Sequence, residues 1–236
     1  MDRRAPLSSI STSITSMSGL ARTVFTDYSS SLGINELRLL NRKEELVLFE
    51  SNRGLFLPNG SLFNSTAQTT SSILSNINLL RSNGITPEEY LIRLDSLYES
   101  KPKDVYYKKY SALASIYTLF NQYLQDEGFL TESELFNRLS SDEILLDLLA
   151  SNSPHLFIMN LELFTPVQCK FLSALLHRPA IQSALLTAHD SLTRSDLLDV
   201  ASCFFPDIPS ISVDASASIK RVTSRIFLIV GGWMNI

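Results

Sequence analysis

Apolar residues recur along most of this chain at steps of three and four, the period of a helix with one buried face. Leu20, Val24 and Tyr28 mark a short helix over 20–31 that Gly33 stops, and Leu37, Leu40, Leu46 and Phe49 continue the period over 36–49. Residues 51–70 hold Pro58, two glycines and many Ser, Thr and Asn residues, and read as a loop. Ile73, Leu74, Ile77 and Leu80 then predict a helix ending near Asn83-Gly84. Thr86-Pro87-Glu88-Glu89 is a helix start in which the Thr caps, the Pro occupies the first turn and the second Glu reaches back, with Tyr90, Leu91, Leu94 and Leu97 on one face. Tyr106, Tyr110, Leu113, Tyr117, Phe120 and Leu124 predict a long helix over 105–126, closed by Gly128. An aromatic stripe can stack on nucleic-acid bases, but at helical spacing it reads first as core. Two more helices follow, over 131–139 with Thr131 as cap, and over 141–150.

The pattern changes at Pro154. His155-Leu-Phe-Ile-Met159 is a short unbroken apolar run, as in a strand buried on both faces. Thr165-Pro166 opens a helix to Leu176, residues 184–187 read as a second strand, 192–205 as a helix, and 208–213 and 226–230 as further strands. Helices ahead of a strand-helix-strand run predict an α/β protein, predominantly helical, with a parallel-sheet core that carries a helical insertion.

Composition narrows the function. The net charge of −4 lacks the basic excess that a dedicated duplex-binding domain uses to neutralise phosphates, so any nucleic-acid contact must be a local patch. Arg81, Lys101, Lys103, Lys108 and Lys109 are the nearest basic grouping, with a solvated helix face as the plainer reading. Cys169 and Cys203 lie far apart, with no His at ligand spacing, which leaves neither a disulfide framework nor a Cys-based zinc site. His155, His177 and His189 are equally scattered, and no cofactor is expected. No apolar run reaches the roughly 20 residues of a membrane span, so an intracellular protein with no membrane partner is expected. Residues 1–25 are rich in Ser and Thr, with Arg3, Arg4 and Arg22 against Asp2 alone. That fits a transit segment, or else a strand and helix start belonging to the fold.

In their order, these features resemble part of the UvrD/Rep/PcrA-type superfamily 1 helicases, and among them the inactivated AddB-like branch. In that family T-F-H-x-L-A opens a helix; here the segment is Ser16-Met-Ser-Gly-Leu-Ala21. A K-x-x-G-x-x-P-E-E-Y element corresponds to Arg81-Ser-Asn-Gly-Ile-Thr-Pro87-Glu88-Glu89-Tyr90, and a Tyr-rich helix before a G-x-L-D turn corresponds to Tyr110 to Gly128. Active members then carry a strand ending V-D-E-x-Q-D and a Thr/Asn-Pro-x-Gln helix start. This chain reads Ile158-Met159-Asn160-Leu161-Glu162-Leu163-Phe164-Thr165-Pro166-Val167-Gln168.

The resemblance implies a partial P-loop-type core in three parts. Residues 1–50 start the α/β core without the Walker A segment, 51–153 form the helical insertion, and 154–236 complete the core with a degenerate Walker B strand. It also places Met159 where the magnesium-binding Asp would stand and Asn160 where the water-orienting Glu would. A thioether does not hold a hard cation that demands oxygen ligands, and a neutral amide does not take a proton from water. No G-x-x-x-x-G-K-[ST] phosphate loop occurs. The implied protein is a catalytically inactive helicase-like component of DNA repair or recombination. It would bind single-stranded DNA, with Ser16, Ser18, Arg81, Lys108 and Lys109 as candidate contacts, or dock on an active helicase or nuclease subunit. A helical protein-interaction adaptor with no nucleic-acid role is the other reading, and its grooves would receive partner helices.

Overall fold

The computed structural model describes residues 14–57, 63, 66–99, 104–159, 163–188, 220–221 and 226–230. The predicted helix over 192–205, the strand over 208–213, and Lys101, Lys103, Asn160 and Glu162 lie outside these. Among the described residues the chain is predominantly helical, and its strands form a two-stranded parallel sheet and a four-stranded mixed one.

Helix α1 (Met17–Tyr28) starts at Ser16, whose hydroxyl accepts from the Gly19 N–H at 3.1 Å. The segment Ser16-Ala21 is thus the cap and first turn of a helix. Gly33, at φ +65°, lets the chain reverse. The helix predicted over 36–49 is instead a strand followed by a helix. Strand β1 (Arg38–Leu40) stops at Asn41, which forms a reciprocal capping box with Glu44 and opens α2 (Arg42–Ser51). A three-residue strand is too short to interrupt the helical spacing of Leu37, Leu40 and Leu46.

The stretch expected as loop contains a short helix, α3 (Arg53–Phe56), and the first turns of α4 (Ala67–Ser82). Asn83-Gly84 ends α4 as expected, with Gly84 at φ +72°. Helix α5 (Pro87–Tyr98) starts on the predicted capping box, Thr86 with Glu89. It buries Leu94 but leaves Leu91 and Leu97 exposed, so its expected apolar face is only partly used. Helix α6 (Val105–Asp126) has the expected bounds.

Strand β2 (Phe129–Thr131) was not foreseen. It pairs in parallel with β1, Leu39 opposite Leu130, before α7 (Glu132–Leu139) and α8 (Glu143–Asn152). Strand β3 (His155–Ile158) leads to α9 (Pro166–Leu176) and then β4 (Ser183–Ala188). β5 (Lys220–Arg221) and β6 (Ile226–Val230) complete a sheet of order β3-β4-β6-β5, parallel except at β5. Among the described residues β3 is an edge strand, and Phe157 is 58% exposed, so the strand is not buried on both faces as its apolar run implied.

The buried side chains form two clusters. One joins α1, α7, α8, β3, α9 and β4 through Val24, Leu130, Leu139, Phe171 and their neighbours. The other joins α2, α3, α4 and α6 through Phe49, Phe56, Ile77 and Phe120. The β1–β2 ladder is the wall between them. Alternate residues of a strand face opposite sides, and Leu40 and Phe129 pack on the second cluster while Leu39 and Leu130 pack on the first. The helices between β1 and β2 thus form an inserted unit with a buried cluster of their own. It also meets the first unit directly, since α4 packs against α7 and α9, and a Cβ on Gly84 would lie 3.5 Å from Val167.

Candidate functional site

In open sheets with parallel strands, ligands meet the protein beyond the carboxyl ends of those strands. Here the described rim is the end of β3 and the start of α9. Ile158 is buried, Met159 is half-buried, Leu163 is 71% exposed, and Thr165 caps the helix. The helix start is fully formed. Thr165 Oγ1 accepts from the Gln168 N–H at 3.4 Å, and Gln168 Oε1 accepts from the Thr165 N–H at 3.0 Å. Gln168 Nε2 also donates to Glu132 Oε1 at 3.3 Å, tying the first turn of α9 to that of α7. That cross-link was not legible from the sequence, because Glu132 is placed by β2, which was itself missed.

The Met159 thioether is no ligand for a hard cation. Among the described residues no group of three or more His, Cys, Asp or Glu side chains is placed to hold a metal ion. Asn160, the other position the resemblance singled out, lies outside the described residues.

The candidate nucleic-acid residues do not converge on one place. Ser16 and Ser18 are exposed at the first turn of α1, with the Ser16 oxygen engaged in its own cap. Lys108 and Lys109 are exposed in the first turns of α6. Arg81 is not a surface group at all. It is 9% exposed, with its guanidinium 5.1 Å from the Phe120 ring centroid and 5.6 Å from that of Tyr117. It donates to Asn121 Oδ1 (3.2 Å from Nε) and to Asn78 Oδ1 at 3.3 Å. Its Nη1 stands 3.7 Å from Glu45 Oε2, too far for a hydrogen bond.

Burial raises the Glu45 pKa, against the pull of Arg81 and a hydrogen bond from Asn78. Burial also lowers that of Arg81, against the attraction of Glu45. Desolvation outweighs attraction on both partners, as an ion pair this loose inside a core requires. Arg81 thus holds α4 against α2 and α6 and is no nucleic-acid contact. No sequence signal separated it from a solvated arginine, because Asn121 lies forty residues away.

The helix pair α5–α6 presents the most unusual surface. Tyr106 is 61% and Tyr110 38% exposed, beside the exposed Lys108 and Lys109. The stripe predicted as core is buried only from Leu113 onward, because α6 runs past the core and carries its first turns into solvent. Tyr107 instead folds back, donating to Asp95 Oδ1 at 2.9 Å and lying 5.8 Å from the Tyr98 ring. A depression between β1 and α2 is lined by Arg38, Lys43, Glu44 and Phe129, and an Arg38–Glu44 ion pair of 2.8 Å occupies its polar side.

No protein-family model matches the chain, and no curated protein matches it either. Among the described residues no helix is long and apolar enough to cross a membrane.

Proposed function

We propose that this chain is a catalytically inactive, helicase-like component that binds single-stranded DNA or scaffolds a DNA repair or recombination assembly. The observation that carries the reading is the parallel β3–α9–β4 unit. Its helix opens on the reciprocal Thr165–Gln168 cap, at the place and with the residues the resemblance calls for. The parallel β1–β2 ladder supports it as well, because it bounds the helices of α2–α6 as one insertion within a unit that also holds β3 and β4. In this reading the sheet β3-β4-β6 is the remnant of a P-loop-type core, and Met159 ends its Walker B strand without an oxygen ligand. The chain then contributes binding and docking rather than hydrolysis, beside an active helicase or nuclease subunit.

Two measurements test it. Anisotropy of a labelled oligo-dT across a salt series is expected to show affinity that falls steeply with salt, as phosphate contacts require. Thermal unfolding is expected not to shift with ATP and Mg²⁺, and a clear upward shift would overturn the claim of inactivity. Absence of binding at low salt would favour the adaptor reading. That reading draws on the exposed Ile92 and Leu97 of α5, which are available to a partner protein.

A further inference from the structure

We propose that the first turns of α6 form a stacking platform for single-stranded nucleic acid, with Tyr106 and Tyr110 receiving bases and Lys109 the backbone phosphates. The inference rests on the DNA-binding reading above and gives it a location. Tyr106, Lys109 and Tyr110 stand at i, i+3 and i+4, so they share one face of the helix. That face continues the stripe that Leu113, Tyr117 and Phe120 bury further along. Beyond the core, the same register sets two phenol rings in solvent with the exposed Lys109 beside them.

Part of each ring is open to solvent, and five of the chain's eight tyrosines lie between residues 90 and 110. Charge agrees. From Arg93 to Tyr110 the sequence carries five basic and three acidic side chains, within a chain of net charge −4. Rings on which bases stack, interleaved with cations that track phosphate, are the recurrent means of binding single strands without reading sequence. A protein partner is the weaker match. The apolar residues most exposed on α5, Ile92 and Leu97, are about 140° apart around that helix and do not extend the tyrosine face into one apolar patch.

The test uses the full chain and a fluorescein-labelled oligo-dT of about 20 nucleotides. Tyr106→Ala with Tyr110→Ala is expected to weaken binding roughly tenfold or more, while Tyr106→Phe with Tyr110→Phe, which keeps both rings, stays near wild type. Lys109→Ala is expected to reduce the slope of log affinity against log salt by about 0.7. The single Tyr106→Ala variant, at the more exposed position, shows the same direction of effect in a fold that thermal unfolding verifies as unchanged. Wild-type binding that the alanine variants leave intact overturns the platform but keeps the DNA-binding reading. No binding by the wild type at low salt removes both, and leaves this face to a protein partner.

Discussion

The two cores of this protein are built on different chemistry. The inserted unit packs Phe49, Phe56 and Phe120 as a mutual cluster, ring centroids 4.8–5.2 Å apart, and buries the Arg81–Glu45 pair among them. The unit around β3 and α9 is mostly aliphatic. Among the described residues, leucines from α7, α8 and α9 fill it around one buried ring pair, Phe136 with Phe171, and its Arg178–Asp147 ion pair sits at the surface. A small helical unit has little apolar area to bury, and rings contribute the most area per residue and add edge-to-face contacts. The same rings present π faces to a guanidinium, which makes a buried cation tolerable there and nowhere else among the described residues.

The contrast can be broken most severely at Phe120. Phe120→Ala is expected to cost about 3–5 kcal/mol, since it opens a cavity and also removes one face of the Arg81 site. Leu139→Ala in the aliphatic core is expected to cost about 2–5 kcal/mol by cavity formation alone. Urea unfolding of both variants, with Arg81→Met added to each, separates the effects. Coupling to Arg81 belongs to Phe120 only, and equal coupling at Leu139 would dissolve the distinction.

Arg81→Met alone is expected to cost about 3 kcal/mol, because it strands the Glu45 carboxylate in the core. Combining it with Glu45→Leu is expected to recover most of that loss. If the double variant were no more stable than the single, the pair would not be acting as a desolvated unit. Smaller again are the caps. Thr86→Ala on α5 and Thr165→Ala on α9 are each expected to cost about 1 kcal/mol in thermal or chemical unfolding. At Thr165 the variant also frees Gln168 from its box and tests whether the tie to Glu132 survives.

The smallest effects are pH slopes of opposite sign. The folded-state pKa of Glu45 lies above its ordinary 4.5, so its contribution to stability is full below that value and lost as pH rises through the raised pKa. Stability relative to Glu45→Gln should therefore decline for the wild type as pH rises through that window. Asp147 is the reverse. The Arg178 hydrogen bond holds its pKa below 3.8, so its contribution is present above that value and fades as pH falls through the lowered pKa. Relative to Asp147→Asn, the wild type should lose its advantage only in acid. Slopes of the same sign for both carboxylates would mean that Glu45 is better solvated than its surroundings imply.

What could be read in advance was local. The box at Thr86–Glu89, the Thr165-Pro166 helix start, the bounds of α6 and α9, and the strands at β4 and β6 each follow from signals a few residues long. What escaped depends on partners far away in sequence. β1 and β2 are three residues each and are strands only because they pair across some ninety residues. Arg81 looks like any surface arginine until Asn78, Asn121 and two rings are folded around it. Tyr106 and Tyr110 belong to a stripe whose spacing is the same inside and outside the core. The period says which face is apolar, but only the length of the supporting core says where along the helix that face is covered. For the candidate site, the start of α9 at Thr165-Pro166 was legible, though not its hydrogen bonds, whereas the surface that carries the nucleic-acid inference was read first as interior.

The β1–β2 ladder has a consequence for engineering. Neighbouring strands lie about 4.8 Å apart, so the chain leaves one unit after Leu40 and returns at Phe129 within a short span of its exit. Everything between is attached like a cassette in a socket. Because the two strands are parallel, a connection replacing the unit must cross from the end of one to the start of the other, about a dozen residues, and a foreign domain whose termini lie equally close could be grafted at the same two points. The two leucines left behind, Leu39 and Leu130, would still face the host core they already help to fill.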